Sequence, residues 1–577
     1  MCRKTALIDF VKQLSGGVRF NHKQQIFEQK RLFQSSKMSG NNTVMKPPNV
    51  LVYLGEKEQK VFDNISINLM KCLNKDKYVV YELKKSQVLG SPWKENTALL
   101  VMFSEEIESK IAEAFRDYVE NEGKILIFCS NFDHTEVGLN FNVISGARLV
   151  KINYKTILDV PICQGKFSYR LKNSVCLATN SEGEPCILKS MHKSNNLIVS
   201  SVHLALDSSL LEEGVQQDDI NRLHILKNIL CEELGLETDC ITIPAPTPGY
   251  ILVDKEELLY KLQSKRIKEI YLGKLEKSIL YPNEPPGSLV DIKVPILFEN
   301  EFLDAIPFNR NVYFSNLKCK HLGAYVAFFP VITSTMIAAE CLRQYEGIVV
   351  VAGRQVSGRG RSDNKWISPE GGAMFTLHLS FLLSSRLGQR MPILQHMASL
   401  AVVHGIRKNP IYSKLDLRLK WPNDLFYETD KKIGGILVNT TLQGNEVVAF
   451  IGIGVNVANE QPTVCINSII HKHNETVGDS LPLLSIEEVI ALTLSELESL
   501  IDDFQQSGPE KFLSLYYSYW LHQDQRVTLS SMNKEATIRG LDEYGFLVVN
   551  TDDGKNLTLQ PDGNRFDIMK NLITSRK

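Results

Sequence analysis

A loop rich in glycine and arginine separates two apolar stretches in the second half of the chain. Residues 353–368 read GRQVSGRGRSDNKWIS and are called the Arg-Gly loop below. The apolar runs 348–352 and 372–379 on either side predict buried strands. Glycines let a backbone approach a ligand closely, and arginine guanidinium groups pair with negative charge. The pattern therefore predicts an anion-binding loop between two strands.

The familiar phosphate-binding loops do not account for this segment. It lacks the Gly-Lys-Ser/Thr ending of a P-loop and the glycine spacing of a dinucleotide fingerprint. Taken alone, the loop also fits a solvated Arg-Gly segment or a nucleic-acid contact. The formal net charge of -1 over 577 residues argues against a chain that wraps nucleic acid or binds a membrane surface.

A second motif lies downstream, where residues 420–424 read KWPND and residues 432–438 read KIGGILV. Pro422 restricts the residue before it to an extended conformation, and the run after Lys432 predicts a buried strand that another group approaches closely. Singly, a lysine is usually a solvated charge, and Asn-Asp after proline is usually a turn. Together they present a lysine, an amide and a carboxylate near the edge of a sheet.

The combination of GRGR followed by a tryptophan, then KWPND, then KIGGILV resembles the biotin protein ligases. The length of the chain makes it most similar to the eukaryotic holocarboxylase synthetase type of that family. The resemblance implies that ATP activates biotin to biotinyl-5'-AMP with release of pyrophosphate, and that biotin is then transferred to the ε-amine of a specific lysine in apo biotin-dependent carboxylases. It covers residues 300–577 well and residues 49–240 only loosely.

The resemblance also implies substrates and partners. ATP with Mg²⁺ is expected as a substrate complex and biotin as a substrate, with no tightly bound prosthetic group. The expected protein partners are the biotin carrier domains of acetyl-CoA, pyruvate, propionyl-CoA and methylcrotonoyl-CoA carboxylases, without nucleic-acid or membrane partners. Some bacterial relatives carry an N-terminal helix-turn-helix, which the βα pattern of residues 49–240 does not resemble.

The chemistry requires two anions, the biotin carboxylate and the ATP α-phosphate, to be brought together against their repulsion, and cations make this feasible. The predicted catalytic residues are Lys432, Arg361 and Asp424. By resemblance, the residues expected to contact biotin or biotinyl-AMP are Ser334, Thr335, Met336, Gln355, Arg359, Gly360, Arg361 and Lys432. Met336 stands where the family carries asparagine, which puts that one contact in question.

A further set is expected near the nucleotide: Trp366, Asn423, Asp424, Gly435 and Asn456. Two interpretations of Asp424 stay open, a base for the acceptor amine or a ligand of Mg²⁺ and ATP, and the Mg²⁺ ligands themselves are not identified. Trp366 is open to two readings as well, a flat cover over the ligand or a core side chain.

The sequence predicts an α/β and α+β multidomain protein with five segments. They are a basic segment at 1–45, an open, amidotransferase-like α/β domain at 46–240, a linker at 241–299, a mixed α/β ligase catalytic domain at 300–521 and a small C-terminal β-barrel at 522–577. Short apolar runs that alternate with helical patterns predict a mostly parallel first sheet. Clustered prolines predict the linker, and short alternating strands predict the barrel.

Cys129 ends one predicted strand of the first domain, where a nucleophile elbow would lie. The domain looks distantly like a class I glutamine amidotransferase, whose triad joins a strand-end cysteine to a later His-x-Glu. His203 matches the histidine, but Ala205 occupies the position of the acid. Without a carboxylate to orient the imidazole, the thiol lacks a well-held base. A non-catalytic regulatory or docking domain is therefore predicted.

The cysteines and the first residues of the chain indicate where in the cell the protein is expected. The 11 cysteines include no C-x-x-C pair, which fits a reduced intracellular protein better than a disulfide scaffold or a zinc module. Residues 1–37 are basic and poor in acidic residues, as in a mitochondrial presequence, although a disordered tail has the same look. Initiation at Met38 or Met45 would omit this segment, so a cytoplasmic and mitochondrial distribution is expected.

Two other functions remain open at this point. A lipoate ligase shares the catalytic fold, and a non-catalytic biotin-sensing scaffold would bind biotin without transferring it. The Arg-Gly loop together with KWPND favours biotin over lipoate. Lys432 argues against a scaffold that only binds.

Overall fold

The computed structural model describes residues 47–577 with internal and terminal gaps. The gaps are 58, 145–147, 192–195, 208–217, 239–243, 255–267, 277–288, 299–305, 346, 362–363, 460–461, 530–531, 562–563, 568–571 and 576–577. The basic segment predicted at 1–45 lies outside the described residues. Everything described belongs to one compact unit, residues 44–577.

The first domain is built on a nine-stranded sheet with the order β2-β1-β3-β4-β11-β10-β9-β6-β7 and a separate β5–β8 pair. Its strands are β1 Asn49–Tyr53, β2 Val79–Glu82, β3 Thr97–Met102, β4 Ile125–Phe128, β5 Leu139–Val143, β6 Arg148–Tyr154, β7 Ile157–Gln164, β8 Phe167–Leu171, β9 Ser174–Asn180, β10 Pro185–Ser190 and β11 Leu197–Ser200. Its helices are α1 Gln59–Cys72, α2 Lys85–Gly90, α3 Ser109–Glu120 and α4 Asp219–Asn228.

The prediction of a mostly parallel sheet is correct for only half of these strands. Strands β2, β1, β3, β4 and β11 run parallel, whereas β10, β9, β6 and β7 are added antiparallel. The physical reason is connectivity. Parallel neighbours need a crossover, which helices α1 and α3 supply, but short turns join β6 to β7 and β9 to β10, and short turns make antiparallel pairs.

The second domain is built on a ten-stranded sheet with the order β13-β14-β12-β15-β16-β17-β21-β20-β19-β18. Its strands are β12 Gly249–Val253, β13 Glu269–Glu276, β14 Leu289–Leu297, β15 Tyr325–Ile332, β16 Ile348–Gln355, β17 Gly372–Leu382, β18 Leu417–Lys420, β19 Asp424–Tyr427, β20 Lys431–Gln443 and β21 Glu446–Asn456. Its helices are α5 Arg310–Asn316, α6 Thr335–Cys341, α7 Ile393–Arg407, α8 Ile466–Val477, α9 Ile486–Ser507 and α10 Pro509–Tyr519.

The predicted linker at 241–299 contributes to this sheet. Strands β12, β13 and β14 fall inside it, and β12 pairs antiparallel with β15 over four residues of each strand. Between these strands the chain is rich in charge and proline, a composition that favours a linker. The apolar positions of β14 alternate with polar ones, as expected for an edge-side strand with one buried face.

Helices pack on both faces of the second sheet. Helices α7 and α9 pack together over one face, where α7 is buried on nearly every side. Helix α6 lies on the other face against β16 and β17. Helix α9 begins with a capping box between Ser485 and Glu488 and ends at Gly508, as the sequence predicts. Among the described helices, none is long and apolar enough to cross a membrane.

The C-terminal domain is a six-stranded sheet with the order β25-β24-β23-β22-β27-β26. Its strands are β22 Arg526–Leu529, β23 Lys534–Leu541, β24 Leu547–Thr551, β25 Asn556–Leu559, β26 Asn564–Asp567 and β27 Leu572–Ser575. The predicted turns at Gly545 and Gly554 are present, each glycine with a positive φ. In the part of this domain that is described, no ladder joins β25 to β26, so the strand order is open where a closed barrel was predicted.

Candidate active site

The Arg-Gly loop folds into a small hairpin whose two arms are paired. The backbone N–H of Gly360 donates to the carbonyl of Asn364 at 2.6 Å, and that of Trp366 donates to the carbonyl of Gly358 at 2.9 Å. A Cβ on Gly358 would lie 2.4 Å from the Trp366 carbonyl oxygen, so only glycine permits this approach. Arg359 is exposed in this hairpin. The loop therefore presents its arginines from a defined backbone.

Trp366 lies on a floor made by two strand glycines. A Cβ on Gly454 would meet the Trp366 indole at 2.8 Å, and one on Gly435 would meet it at 3.5 Å. The indole N–H donates to Sδ of Met374 at 3.2 Å, and Nζ of Lys432 lies 5.4 Å from the ring centroid. Strands β20 and β21 thus leave a flat recess for the indole. This position beside Lys432 suits both readings of Trp366, as a cover and as a packed side chain.

A chain of polar side chains joins the start of helix α6 to the hairpin. Oε1 of Gln355 accepts the Thr335 backbone N–H at 2.8 Å, while Nε2 of Gln355 donates to Oγ of Ser368 at 2.8 Å. Thr376 in β17 donates its hydroxyl to that of Thr335, also at 2.8 Å. Thr335 and Gln355, both predicted to contact biotin, are therefore brought together. Ser368 and Thr376, both buried, extend the set and were missed.

Ser334 and Met336 flank Thr335 at the same helix start. Ser334 occupies the N-cap position of α6 and is buried, although its side chain makes no capping hydrogen bond. Sδ of Met336 would lie 2.9 Å from a Cβ on Gly452, so the thioether fills the space above that glycine. Met336 packs as an apolar side chain and has no amide to offer a ligand. Met336 therefore cannot supply the side-chain hydrogen bond that an asparagine at this position would.

The electrostatic centre of the site is a carboxylate between two lysines. Nζ of Lys432 lies 2.5 Å from Oδ1 of Asp424, and Nζ of Lys420 lies 3.4 Å from Oδ2 of the same group. Lys420 is buried and also lies 5.2 Å from the centroid of the Phe426 ring. Strand β19 pairs with β18 and β20, which fixes all three side chains on neighbouring strands. Lys420 belongs to the KWPND motif, but the sequence did not identify it as a site residue.

Arg361 connects the hairpin to the KWPND segment and to the C-terminal domain. Its guanidinium donates to Oδ1 of Asn423 at 3.3 Å and to the carbonyl of Pro561 in the C-terminal domain. The Asn423 amide in turn donates to the Ile436 carbonyl at 2.6 Å. The two motifs identified in the sequence therefore meet through Arg361 and Asn423. Nothing in the sequence signals the contact with Pro561.

Asn456 is the last residue of β21. Its amide donates to Oγ1 of Thr463 at 2.8 Å, and Thr463 donates to the Lys432 carbonyl at 3.4 Å. Asn456 is buried. Its contacts support the backbone of Lys432, so the structure gives it a supporting place behind the site.

The KWPND segment is held by a histidine from beyond the catalytic domain. Nε2 of His522 accepts the backbone N–H of Trp421 at 3.0 Å, and Nδ1 of His522 is 2.8 Å from Oε1 of Gln525. Burial lowers the pKa of His522 to about 3, so the ring is neutral and can accept that hydrogen bond. The bond between Trp421 and Pro422 is cis. His522 could not be identified from the sequence because it is distant in the chain from the KWPND segment.

The side chains around Asp424 fit an anion better than a dedicated metal site. A Mg²⁺ site made by protein alone needs several oxygen ligands at about 2.1 Å. In the described part of the chain, no group of three or more His, Cys, Asp or Glu side chains could hold a metal ion. Two lysines already share the Asp424 carboxylate.

In the first domain, Cys129 follows β4 with a positive φ of 47°, the backbone of an elbow. A Cβ on Gly165 would lie 2.4 Å from Sγ of Cys129 and 3.1 Å from Nε2 of His203, so the thiol and the imidazole converge there. Burial raises the pKa of the Cys129 thiol to about 12 and lowers that of His203 to about 4. Both groups are neutral near pH 7, which opposes an activated nucleophile.

Two family models match the chain. Residues 328–456 match the Biotin/lipoate A/B protein ligase family, and residues 522–570 match the Biotin protein ligase C terminal domain. The first match spans the whole Arg-Gly loop, KWPND and the strands beneath them. The second contains His522 and Pro561.

Relatives with similar sequences are found in animals, plants and bacteria. Biotin–protein ligase of Homo sapiens is 33% identical over 575 residues, which cover 93% of this chain and 78% of the human one. Biotin–protein ligase 2 of Arabidopsis thaliana is 33% identical over 49% of this chain and 88% of its own. Among solved structures, the biotin protein ligase of Aquifex aeolicus in complex with biotin and ATP is 24% identical, with a TM-score of 0.31, and covers 41% of this chain and 96% of that chain.

The human relative is matched across both domains and the C-terminal sheet, and the two family models fall on the residues that build the site. This chain belongs to the biotin protein ligase family.

Proposed function

We propose that this chain is an ATP-dependent biotin protein ligase that works in two half-reactions. In the first, an oxygen of the biotin carboxylate attacks the α-phosphorus of ATP. The new C–O–P linkage of biotinyl-5'-AMP forms while the bond to the β-phosphate oxygen breaks, and pyrophosphate leaves with that electron pair. In the second, the amine of an acceptor lysine attacks the carbonyl carbon, an amide forms, and AMP leaves.

This proposal rests on one observation: two motifs that are distant in the sequence lie side by side at Lys432. Its ammonium lies 2.5 Å from Asp424 of KWPND and 5.4 Å from the ring of Trp366 in the Arg-Gly loop. A cation fixed at this junction stabilises the negative charge that develops on the phosphoryl group during adenylation. Arg361 supplies a second cation from the loop. A scaffold that only binds biotin has no need of this charge.

Biotin itself is proposed to occupy the recess beside helix α6. Its ureido ring offers one acceptor and two donors, each of which must be paired when buried. The hydroxyl of Thr335, the amide of Gln355 and the hydroxyls of Ser368 and Thr376 already form a hydrogen-bonded chain there. Hydroxyls both donate and accept, so this chain can re-pair with a ureido group.

Asp424 is proposed to orient and deprotonate the acceptor amine in the second half-reaction. It is the carboxylate between Lys420 and Lys432, whose charges stabilise it as an anion. Its carboxylate oxygens can accept a hydrogen bond from the acceptor amine and so orient it for attack. Magnesium is proposed to arrive bound to ATP, which agrees with the cationic surroundings of Asp424.

The acceptors are proposed to be the biotin carrier domains of biotin-dependent carboxylases, including acetyl-CoA, pyruvate, propionyl-CoA and methylcrotonoyl-CoA carboxylases. The name of the human relative, biotin–protein ligase, supports a protein acceptor. A cytoplasmic and mitochondrial distribution is proposed from the basic composition of residues 1–37 and from Met38. A reporter fused to residues 1–40 that stays in the cytosol would contradict the mitochondrial part.

The first domain is proposed to be amidotransferase-like in architecture and non-catalytic. In support of this, β1, β3, β4 and β11 form a parallel core, and Cys129 follows β4 at an elbow. The neutral state of both Cys129 and His203, and Ala205 in place of an acid, support the lack of catalysis.

The decisive test uses radiolabelled biotin with MgATP, in the presence and absence of an apo biotin carrier domain. The wild-type chain should release pyrophosphate only with biotin present, and should leave acid-stable label on the carrier. The Lys432→Ala variant should do neither. Competition by lipoate at equal concentration would indicate a lipoate ligase, and biotin binding without pyrophosphate release would indicate a sensing scaffold.

A further inference from the structure

One ion pair joins the first domain to the Arg-Gly loop. Asp76, in the turn that follows helix α1, accepts a hydrogen bond from the guanidinium of Arg354, the second residue of the loop. The exposed fraction of the side chain is 29% for Asp76 and 20% for Arg354, so both are largely shielded from water. The two residues are 278 positions apart in the chain. This contact spans the two domains.

Asp76 is held firmly on its own side of the contact. Its backbone N–H donates to Oδ1 of Asn74 at 2.9 Å, and the N–H of Asn74 donates to the Glu237 carbonyl at 3.0 Å. Lys77 pairs with the Glu237 carboxylate as well. A side chain on such a braced turn presents its carboxylate with little loss of conformational entropy on pairing.

Arg354 is equally well placed to act on the site. It lies in strand β16, where it pairs with Val331 of β15, and its neighbour Gln355 pairs with Ile332. Gln355 is the residue that hydrogen-bonds both Thr335 and Ser368. A shift of Arg354 therefore reaches the polar chain proposed for biotin through a single peptide unit.

The far arm of the loop carries a second cation, Lys365. Lys365 keeps part of its surface in water, yet desolvation lowers its pKa, and the Asp63 carboxylate of helix α1 opposes that shift. The backbone of Lys365 forms a bridge with that of Arg359 in the opposite arm. Two carboxylates of the first domain, Asp63 within helix α1 and Asp76 in the turn after it, thus act electrostatically on cations at the two ends of the hairpin.

We propose that the first domain holds the Arg-Gly loop over the activated intermediate, with Asp76 as a positioning residue that acts through Arg354. This proposal rests on the ligase function proposed above. Asp76 touches neither ligand nor reacting atoms. Its effect is to favour the paired, closed hairpin and so to slow the escape of biotinyl-AMP before an acceptor lysine arrives.

A charge exchange tests the contact on the full chain. Asp76→Arg and Arg354→Asp are made singly and together, and two quantities are measured. One is the rate at which biotinyl-AMP leaves the chain, and the other is amide hydrogen exchange in residues 353–368 without ligand. Each single variant should release the intermediate about fivefold faster, as expected for one partly buried ion pair, and should exchange faster in the loop. The double variant should restore both quantities towards wild type.

The control is the ion pair of Arg116 with Asp133, at 2.6 Å and confined to the first domain. The same exchange of charges there should leave release and loop exchange unchanged. Equal loop exchange in Asp76→Arg and wild type would overturn the proposal, as would a double variant no better than the singles. If wild type makes no biotinyl-AMP, the ligase proposal fails, and hydrogen exchange still decides whether Asp76 orders the loop.

Discussion

Asp424 lies between Lys432, at 2.5 Å from one carboxylate oxygen, and Lys420, at 3.4 Å from the other. The three side chains come from adjacent strands, so their spacing is set by the ladder and not by flexible loops. Of the two lysines, Lys420 is buried and Lys432 is the more open to a ligand. The arrangement assigns support to Lys420 and contact with the phosphoryl group to Lys432.

Replacement of Lys432 by alanine should strongly lower the rate of adenylation. Removal of one fixed charge that stabilises a transition state typically lowers a rate by about 10² to 10³. Biotin-dependent exchange of pyrophosphate into ATP measures this step without any acceptor. Lys431→Ala is the matched control, since its neighbouring ammonium pairs with Glu428 and Asp430. A Lys431→Ala rate as low as that of Lys432→Ala would show that the loss reflects general damage to strand β20.

Replacement of Gly454 by alanine should displace Trp366 and loosen the hairpin. The new Cβ would lie 2.8 Å from the indole, closer than side chains tolerate, and the loop can move more easily than strand β21. We expect the KM for biotin to rise by roughly tenfold, equivalent to about 1.4 kcal/mol, with a small change in melting temperature. Gly90→Ala, where no atom lies within 4 Å, is the control. An unchanged KM in Gly454→Ala would mean that Trp366 does not hold the closed loop.

Stability should fall as the pH is lowered from about 6.5 towards 4. Burial lowers the pKa of His522 to about 3 and of His396 to about 4, both from 6.5. Below pH 6.5 the unfolded chain binds a proton at each ring while the folded chain does not, so each histidine removes up to about 1.4 kcal/mol of unfolding free energy per pH unit. Urea unfolding at pH 7.5 and 5.5, followed by tryptophan fluorescence, measures the slope. His522→Gln should have a shallower slope, and an equal slope would contradict a neutral His522.

Replacement of Cys129 by alanine should leave biotin transfer within about twofold of wild type. Burial raises the pKa of this thiol to about 12, so almost none of it is thiolate at pH 8. Iodoacetamide at that pH should label the exposed Cys231 well before Cys129 in the folded protein, as peptide mass spectrometry can follow. Loss of transfer in a folded Cys129→Ala chain would give the first domain a chemical role.

The local motifs of the site could be predicted from sequence because each carries its own constraint. Glycines alternating with arginines in the Arg-Gly loop, and the glycines after Lys432, have few uses other than close approach of a backbone to something else. The structure shows what lies there: at Gly358 it is the opposite arm of the hairpin, and at Gly435 it is the indole of Trp366. The pattern thus located the close contacts without identifying their partners.

Contacts between distant parts of the chain could not be predicted. Thr376 lies in an apolar run and looks like any strand threonine until Thr335 is placed opposite it at 2.8 Å. Pro561 acts through its carbonyl, a group that every residue possesses. The linker prediction failed for a related reason. Strands β12 and β14 are short or interrupted by charge, and only their pairing with each other and with β15 makes them part of a sheet.

The hydrogen bond from Trp421 to His522, and that from Arg361 to Pro561, have a consequence for synthesis on the ribosome. Domains generally fold as they emerge, at roughly 5 to 20 residues per second. Here the site is braced by His522 and Pro561, which follow its other residues in the chain. A nascent chain therefore cannot complete its active site until Pro561 has left the ribosome. Activated biotin is then not formed by a chain whose C-terminal domain has still to emerge.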